Sequence, residues 1–190
     1  VNLGIGMPVL VLDAIGPERT VFIHSENGVL GMRALAPGEP VDPELTNAAK
    51  LPVGILEGAA FFHHADSFAM MRGGHLDCCV LGGYQVAANG DLANWSLGEE
   101  GVAAAVGGAM DLAVGAKRVF VMMEHQTRDG RPRLVEALSL PATGLGAVSR
   151  IYTDLATIDV DGEGFLVRDM VEGLSRAELQ ARTGAPLRFA

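Results

Sequence analysis

The first eight residues, Val1-Asn2-Leu3-Gly4-Ile5-Gly6-Met7-Pro8, decide the fold class of this chain. They predict a short apolar strand that ends in a glycine turn, and Pro8 then favours the first position of a helix. A second apolar strand is predicted at residues 20–24. Because strand, turn, helix and strand in this order form the unit of a parallel sheet, the opening indicates an α/β fold.

Later segments extend this sheet. Residues 76–81 and 118–123 are apolar runs typical of strands buried on both faces, and the glycine-led segment 107–113 predicts a helix between them. Asp161-Gly162 predicts a hairpin, and Ser175-Arg176-Ala177-Glu178 is a capping box that begins a C-terminal helix. We therefore expect an open, mostly parallel sheet with helices on both faces and some antiparallel pairing near the end.

Length and composition indicate one domain. The chain has 190 residues, of which 49% are hydrophobic and 19% charged, so it is too apolar for a disordered protein. A chain of this size buries about 70% of the surface that its unfolded form exposes. We predict a single domain over residues 1–190, with 25 glycines that mark tight turns and close backbone approaches.

The charge and the cysteines restrict partners and compartment. A net charge of −9 argues against a nucleic-acid or anionic-membrane partner, and no apolar run reaches the ~18 residues of a membrane span. The two cysteines, Cys78 and Cys79, are neighbours in a predicted strand and point to opposite faces, so we expect two buried thiols and no bridge. These features favour a cytoplasmic protein.

The sharpest local feature is Ser25-Glu26-Asn27-Gly28. Glu26 directly follows the predicted strand 20–24, and α/β sheets place their sites at the carboxyl ends of parallel strands. Gly28 leaves room for a substrate beside the carboxylate. On spacing alone, however, an acid that caps a loop is the preferred explanation.

Other common sites are disfavoured. The dinucleotide fingerprint requires a third glycine after Gly4-x-Gly6, where this chain has Val9, and no G-x-S-x-G motif supports a serine nucleophile. We expect no metal, because no histidine, cysteine or acid cluster has the spacing of a known metal site; the nearest groups are His63-His64-Ala65-Asp66 and His75-Leu76-Asp77.

A series of motifs along the chain indicates a functional role for Glu26. In order they are Val1-Asn2-Leu3-Gly4-Ile5-Gly6-x-Pro8, Ser25-Glu26-Asn27-Gly28-Val29-Leu30-Gly31, Ser67-Phe68-Ala69-Met70-Met71-Arg72-Gly73-Gly74-His75, Gly90-Asp91-Leu92-Ala93-Asn94-Trp95, Gly107-Gly108-Ala109-Met110-Asp111-Leu112 and Met123-Glu124-His125. From residue 1 to about residue 185, the chain resembles the B (beta) subunit of the family I 3-oxoacid CoA-transferases, which include the acetoacetate and 3-oxoadipate enzymes.

The resemblance implies roles for individual residues. Glu26 would be the nucleophile, and a backbone N–H at Gly108, with Ala109 beside it, would lie in the oxyanion hole. Asn2, Lys50, Gly108 and Ala109 would contact coenzyme A, which is substrate and product. The implied fold is the open sheet shared with ribose-5-phosphate isomerase and glucosamine-6-phosphate deaminase.

The resemblance also implies a reaction and a partner. CoA would move from an acyl-CoA, succinyl-CoA being the expected donor, to a 3-oxoacid such as 3-oxoadipate through a covalent glutamyl-CoA thioester. A separate A (alpha) subunit would complete the site, in a heterotetramer with two copies of each chain. The alternatives are an acetoacetate or other short-acid enzyme, and a non-catalytic effector-binding domain of the same fold.

Substrate choice rests on weaker signals. The segment Phe62-His63-His64-Ala65-Asp66-Ser67 looks most like the 3-oxoadipate branch, whose second carboxylate needs a positive partner. His63, His64 and Arg72 are candidates for that partner, and structural roles explain them equally well.

Three departures from the family pattern stand out. Leu56-Glu57-Gly58-Ala59 replaces the usual Leu-Pro-Gly-Gly, and Met32-Arg33-Ala34 lacks a usual glycine; we expect both segments near the acyl pocket. The helix that precedes the first strand in the family is missing, so we expect that upstream residues have been left out.

Overall fold

The computed structural model describes residues 1–16, 18–98 and 105–190. Its helical elements are a 3-10 helix (Met7–Ala14), α1 (His64–Arg72), α2 (Ala109–Gly115) and α3 (Arg176–Ala181). The strands are β1 (Asn2–Leu3), β2 (Ile23–Ser25), β3 (Val29–Arg33), β4 (Gly54–Phe61), β5 (Cys79–Gly82), β6 (Gln85–Ala87), β7 (Leu92–Ala93), β8 (Val119–Met122), β9 (Leu134–Val135), β10 (Val148–Tyr152), β11 (Ala156–Asp161), β12 (Gly164–Met170) and β13 (Leu187–Phe189).

Within these residues, ten strands form one open sheet in the order β13-β12-β11-β10-β8-β5-β1-β2-β3-β4. Its centre, from β10 to β2, is parallel, and antiparallel strands flank the centre on both sides. A small second sheet has the order β7-β6-β9. The predicted α/β class and mostly parallel sheet are confirmed.

The sheet is covered on both faces. Cys79 and Leu81 of β5 pack in one hydrophobic cluster with Met71 of α1, whereas Val80 of β5 and the preceding Cys78 pack in a second cluster with Leu12 of the 3-10 helix. The two thiols are free, as expected, and burial raises the pKa of Cys79 to about 12. Alternation along β5 therefore separates two cores, each with its own helical layer.

Several predicted elements differ in extent. The hairpin is present as β11 and β12, and the Ser175–Glu178 capping box begins α3. The helix expected after Pro8 is a 3-10 helix. β9 ends at Val135, and beyond it the backbone N–H groups of Ser139 and Leu140 donate to the Gln85 side chain.

Parallel pairing aligns the ends of four strands. The carboxyl ends of β1, β2, β5 and β8 lie at one edge of the sheet, because these strands are neighbours with the same direction. The loops that follow them supply the site described next. None of the helices described is long and apolar enough to cross a membrane.

Candidate active site

A cavity of about 430 Å³ lies at this edge of the sheet. Residues 2–5, Ser25 and Glu26, residues 81–84, and Met122 and Met123 line it from the four strand ends. Gly108 and Ala109 line it from the start of α2. The cavity therefore collects the first strand, the Ser-Glu-Asn-Gly motif and the glycine-led helix, which are distant in sequence.

Glu26 and Gly108 are in direct contact. A Cβ atom built on Gly108 would lie 2.2 Å from Oε2 of Glu26 and 3.3 Å from Cζ of Phe68. With the Glu26 side chain in this conformation, only a glycine leaves space for its carboxylate. The structure thus brings together the two residues that the family resemblance assigned to the nucleophile and the oxyanion hole.

Gly28 fixes the turn that carries Glu26. Its φ is 106°, a conformation that other residues rarely adopt, and a Cβ there would lie 2.2 Å from the carbonyl oxygen of Phe62. The Phe62 backbone N–H donates to the Gly28 carbonyl at 3.0 Å. Gly28 therefore permits the close approach between this turn and the segment that contains Phe62.

The electrostatic setting of Glu26 favours its neutral form. Burial raises the pKa of this half-buried carboxyl above its ordinary value. The charge of His64 opposes this effect and lowers the pKa, and the charge of Asp111 raises it. A partly desolvated carboxylate is poorly stabilised by water, which suits a nucleophile.

A buried polar network supports the strand that precedes Glu26. The Asn2 amide nitrogen donates to the His24 carbonyl at 3.1 Å and to His24 Nδ1 at 2.9 Å. Nε2 therefore carries the ring proton and donates to Ser67 Oγ at 2.9 Å, and Ser67 Oγ donates to the Ser25 carbonyl at 3.4 Å. Burial lowers the pKa of His24 to about 4, so the ring is neutral.

The segment that carries Lys50 borders the cavity. Ala48 lines the cavity, and its backbone N–H donates to Ser25 Oγ at 3.1 Å. Lys50 is exposed, lies outside the described lining and has a φ of 61°. Asn47 holds this turn through hydrogen bonds from the backbone N–H groups of Ala49 and Leu51.

The three candidate substrate residues on or beside α1 have partners within the chain. His63 Nδ1 accepts from the backbone N–H of Ala65 and caps the helix, and the His64 ring packs edge-on against Phe68. Arg72 pairs with Asp111 at 2.6 Å. None of the three belongs to the described lining of the cavity.

The two segments that depart from the family pattern also lie outside this lining. The Leu56–Ala59 departure falls in β4, the strand at the edge of the sheet, and Met32 is buried in β3. The sequence predicts both segments near the acyl pocket, but β3 separates β4 from β2, the strand that Glu26 directly follows.

Arg133 is a cavity residue that was not predicted from the sequence. Its Nη1 donates to the Gly83 carbonyl at 3.3 Å, across 50 positions of sequence. No motif marked it, and only the fold brings it to the site. In the part of the chain that the structure describes, no three His, Cys, Asp or Glu residues are grouped as a metal site would require.

Comparisons with known proteins agree with this geometry. The model of the Coenzyme A transferase family matches residues 1–180. The B subunit of the 3-oxoadipate CoA-transferase of Acinetobacter baylyi is 57% identical over 187 residues, which are 98% of this chain and 86% of that protein. The B subunit of the succinyl-CoA:3-ketoacid coenzyme A transferase of Helicobacter pylori is 44% identical over 185 residues, which are 97% of this chain and 88% of that protein.

Solved structures establish the fold. The acyl-CoA transferase YdiF of Escherichia coli O157:H7 superimposes with a TM-score of 0.77 at 16% identity, and this chain, matched in full, spans 38% of that longer chain. The decarboxylase AibA/AibB gives a TM-score of 0.69 at 19% identity, covering 100% of this chain and 78% of that one. The matched motifs, the shared fold and the cavity around Glu26 lead to one conclusion: this chain belongs to the coenzyme A transferase family, with the B subunits of its 3-oxoacid enzymes.

Proposed function

We propose that this chain is the B subunit of an enzyme that transfers CoA from succinyl-CoA to 3-oxoadipate. The contact between Glu26 and Gly108 inside the cavity carries the proposal, because it joins a nucleophile to a candidate oxyanion donor. The relatives at 56–57% identity that are named for 3-oxoadipate support this acceptor. The relative named for 3-ketoacids, at 44% identity, makes acetoacetate the second candidate.

The proposed reaction conserves the energy of the thioester. The Glu26 carboxylate attacks the donor thioester carbonyl, and the C–S bond breaks to give a mixed anhydride and the CoA thiolate. The thiolate then attacks the glutamyl carbonyl and releases the donor acid, which leaves a glutamyl-CoA thioester. An acceptor carboxylate reverses the sequence, so we expect ping-pong kinetics.

Each step passes through a tetrahedral oxyanion. The Gly108 N–H is the proposed donor, with Ala109 beside it, and one such donor contributes about 3–4 kcal/mol to catalysis. A carboxylate nucleophile suits this chemistry, because both of its adducts remain activated acyl groups. Water must be kept out, since the glutamyl thioester would otherwise hydrolyse.

The proposal assigns two contacts to CoA. Asn2 lines the cavity, and its amide nitrogen is already bonded to His24, so its Oδ1 is the atom proposed to accept from the amide groups of CoA. Lys50, exposed beside the cavity, is proposed to pair with a CoA phosphate. His63, His64 and Arg72 stay candidates for contacts with the acceptor.

An A subunit is proposed to cover the cavity. Ile5 and Met7 line it and are 68% and 39% exposed, which leaves an apolar rim for a partner. Relatives named as B subunits support a two-chain enzyme, and two copies of each chain are proposed. The expected compartment is the cytoplasm.

Product analysis tests the substrate assignment. The chain is produced with its A subunit, and the complex is given succinyl-CoA with 3-oxoadipate, acetoacetate or a short monocarboxylic acid. Higher kcat/KM for 3-oxoadipate than for acetoacetate supports the proposal, and the reverse order assigns the chain to the acetoacetate enzymes. No transfer to any acid would contradict the proposed activity.

A further inference from the structure

We propose that Arg133 binds the distal carboxylate of the acyl group and selects dicarboxylic over monocarboxylic substrates. This inference rests on the proposed function and adds the residue that recognises the second carboxylate of the substrate. Of the described residues that line the cavity, Glu26 and Arg133 are the two with charged side chains. Glu26 supplies the nucleophile, and Arg133 supplies a positive charge.

The fold holds Arg133 firmly at the cavity. Its backbone N–H donates to the His125 carbonyl at 3.1 Å, and its carbonyl accepts from the Val86 N–H at 2.9 Å. Nη1 donates to the Gly83 carbonyl at 3.3 Å. Both the base and the tip of the side chain are therefore positioned before any ligand binds, which lowers the entropic cost of binding.

The guanidinium has no counter-ion among the described residues. Arg33, Arg72 and Arg150 each pair with an acid within 4 Å, whereas no ion pair in the described ranges includes Arg133. Its Nε is buried without a hydrogen-bond partner. A half-buried cation without a counter-ion is costly, and a carboxylate from a substrate would offset that cost.

Glu26 and the Gly83 carbonyl that holds Arg133 lie at nearby strand ends on the same edge of the sheet. Glu26 follows β2 and Gly83 follows β5, with β1 between them in the sheet. Since neighbouring strands lie about 4.8 Å apart, the two strand ends are separated by about 10 Å. Leu3 and Leu81 line the same cavity and offer apolar surface to the methylene groups between the reacting carbonyl and the second carboxylate.

One such subsite would serve both halves of the reaction. Succinyl-CoA and 3-oxoadipate each carry a carboxylate distant from the reacting group, and in a ping-pong mechanism they occupy the same site in turn. Acetoacetate has no second carboxylate. Arg133 would therefore contribute to the donor step in every case and to the acceptor step only with 3-oxoadipate.

The experiment compares Arg133→Ala with Arg131→Ala in the complex with the A subunit. Arg131 is two residues away, exposed and paired with Asp129, so it is a matched control. We expect Arg133→Ala to lower kcat/KM for succinyl-CoA and 3-oxoadipate about 10- to 100-fold, the scale of a charged hydrogen bond. The kcat/KM values of Arg133→Ala for butyryl-CoA and acetoacetate should change less than about threefold. Arg131→Ala should give the wild-type values for all four substrates.

Further arms separate the alternatives. Arg133→Lys keeps the charge but loses the forked geometry, so it should lie between wild type and Arg133→Ala and provides a reading if the alanine variant does not fold. Equal losses for both substrate classes would mean that Arg133 contacts the CoA portion or supports the fold, and would overturn the inference. Selective loss in Arg72→Ala alone would assign the carboxylate to Arg72. Wild-type enzyme inactive on every thioester would instead contradict the proposed function.

Discussion

At the scale of single residues, the protonation of Glu26 is governed by its neighbours. Burial raises its pKa, and the charges of Asp111 and His64 act in opposite directions. Because only the ionised carboxylate attacks, activity should fall as the pH decreases through this raised pKa. The acidic limb of the pH profile therefore reports the pKa of Glu26 and how neighbouring charges change it.

Asp111→Asn should move that acidic limb to lower pH. The substitution removes a negative charge that raises the pKa of Glu26, and the freed charge of Arg72 acts in the same direction. His64→Gln should move the limb to higher pH, because the charge of His64 lowers this pKa. The measurement is kcat/KM for succinyl-CoA against pH, and identical limbs in all three proteins would contradict this account.

The contact at Gly108 permits a second prediction. The Cβ of Gly108→Ala would lie 2.2 Å from Glu26 Oε2 and would displace the carboxylate by about an ångström, which typically costs about 100-fold in rate. The φ of −82° suits alanine, so the thermal unfolding midpoint should stay near the wild-type value. Gly162→Ala, at an open hairpin position with nothing within 4 Å, is the control. Unchanged kcat in Gly108→Ala would refute the contact.

At the scale of elements, the strand β2 depends on a neutral His24. Its pKa is lowered from 6.5 to about 4, mainly by burial. The unfolded chain takes up a proton near pH 6.5, and the folded chain does so only near pH 4. The contribution of His24 to the free energy of unfolding should thus be greatest above pH 6.5 and should decline as the pH falls from 6.5 to about 4.

Urea titrations over this pH range measure the effect. Up to about 3 kcal/mol of stability should be lost between pH 6.5 and 4 on account of His24. His125, also buried and with a lowered pKa, adds a loss of the same sign. His24→Gln should reduce the slope without abolishing it. A slope unchanged in that variant would mean that His24 does not couple stability to pH.

The sequence was informative where local patterns are strong. The apolar runs predicted β5 and β8, and the Ser175–Glu178 spacing predicted the cap of α3. Residues 43–52 form two turns and a bridge between Thr46 and Pro52, for which no local pattern is typical. Strands of two or three residues, such as those of the small sheet, have too few positions for a periodic pattern.

The site was predicted only in part. The resemblance predicts roles for Glu26 and Gly108, and the fold brings these two residues together. Arg133 and Gly83 are 50 positions apart, and His24 and Ser67 are 43 apart, so no local spacing could pair them. Such contacts depend on strand order, which a single sequence does not specify.

At the scale of the whole molecule, we expect an A subunit to complete the cavity. This chain alone should show no CoA transfer, and addition of the A subunit should restore it. Ile5→Asp should weaken the association at least about tenfold, because a charge at an apolar rim must be desolvated on binding. Leu145→Asp, at a residue that is 75% exposed against 68% for Ile5 and lies outside the described lining, is the control in calorimetric titrations. Full activity of the isolated chain would contradict this expectation.

The central claim is that Glu26 forms a covalent thioester with CoA. The assembled enzyme is incubated with succinyl-CoA without an acceptor, reduced with borohydride and digested, and the peptides are analysed by mass spectrometry. We expect Glu26 to be converted to the corresponding alcohol in the wild type and left unmodified in Glu26→Gln, which should fold and bind CoA but lose transfer by several orders of magnitude. A modification at another residue, or near-normal turnover in Glu26→Gln, would contradict the mechanism.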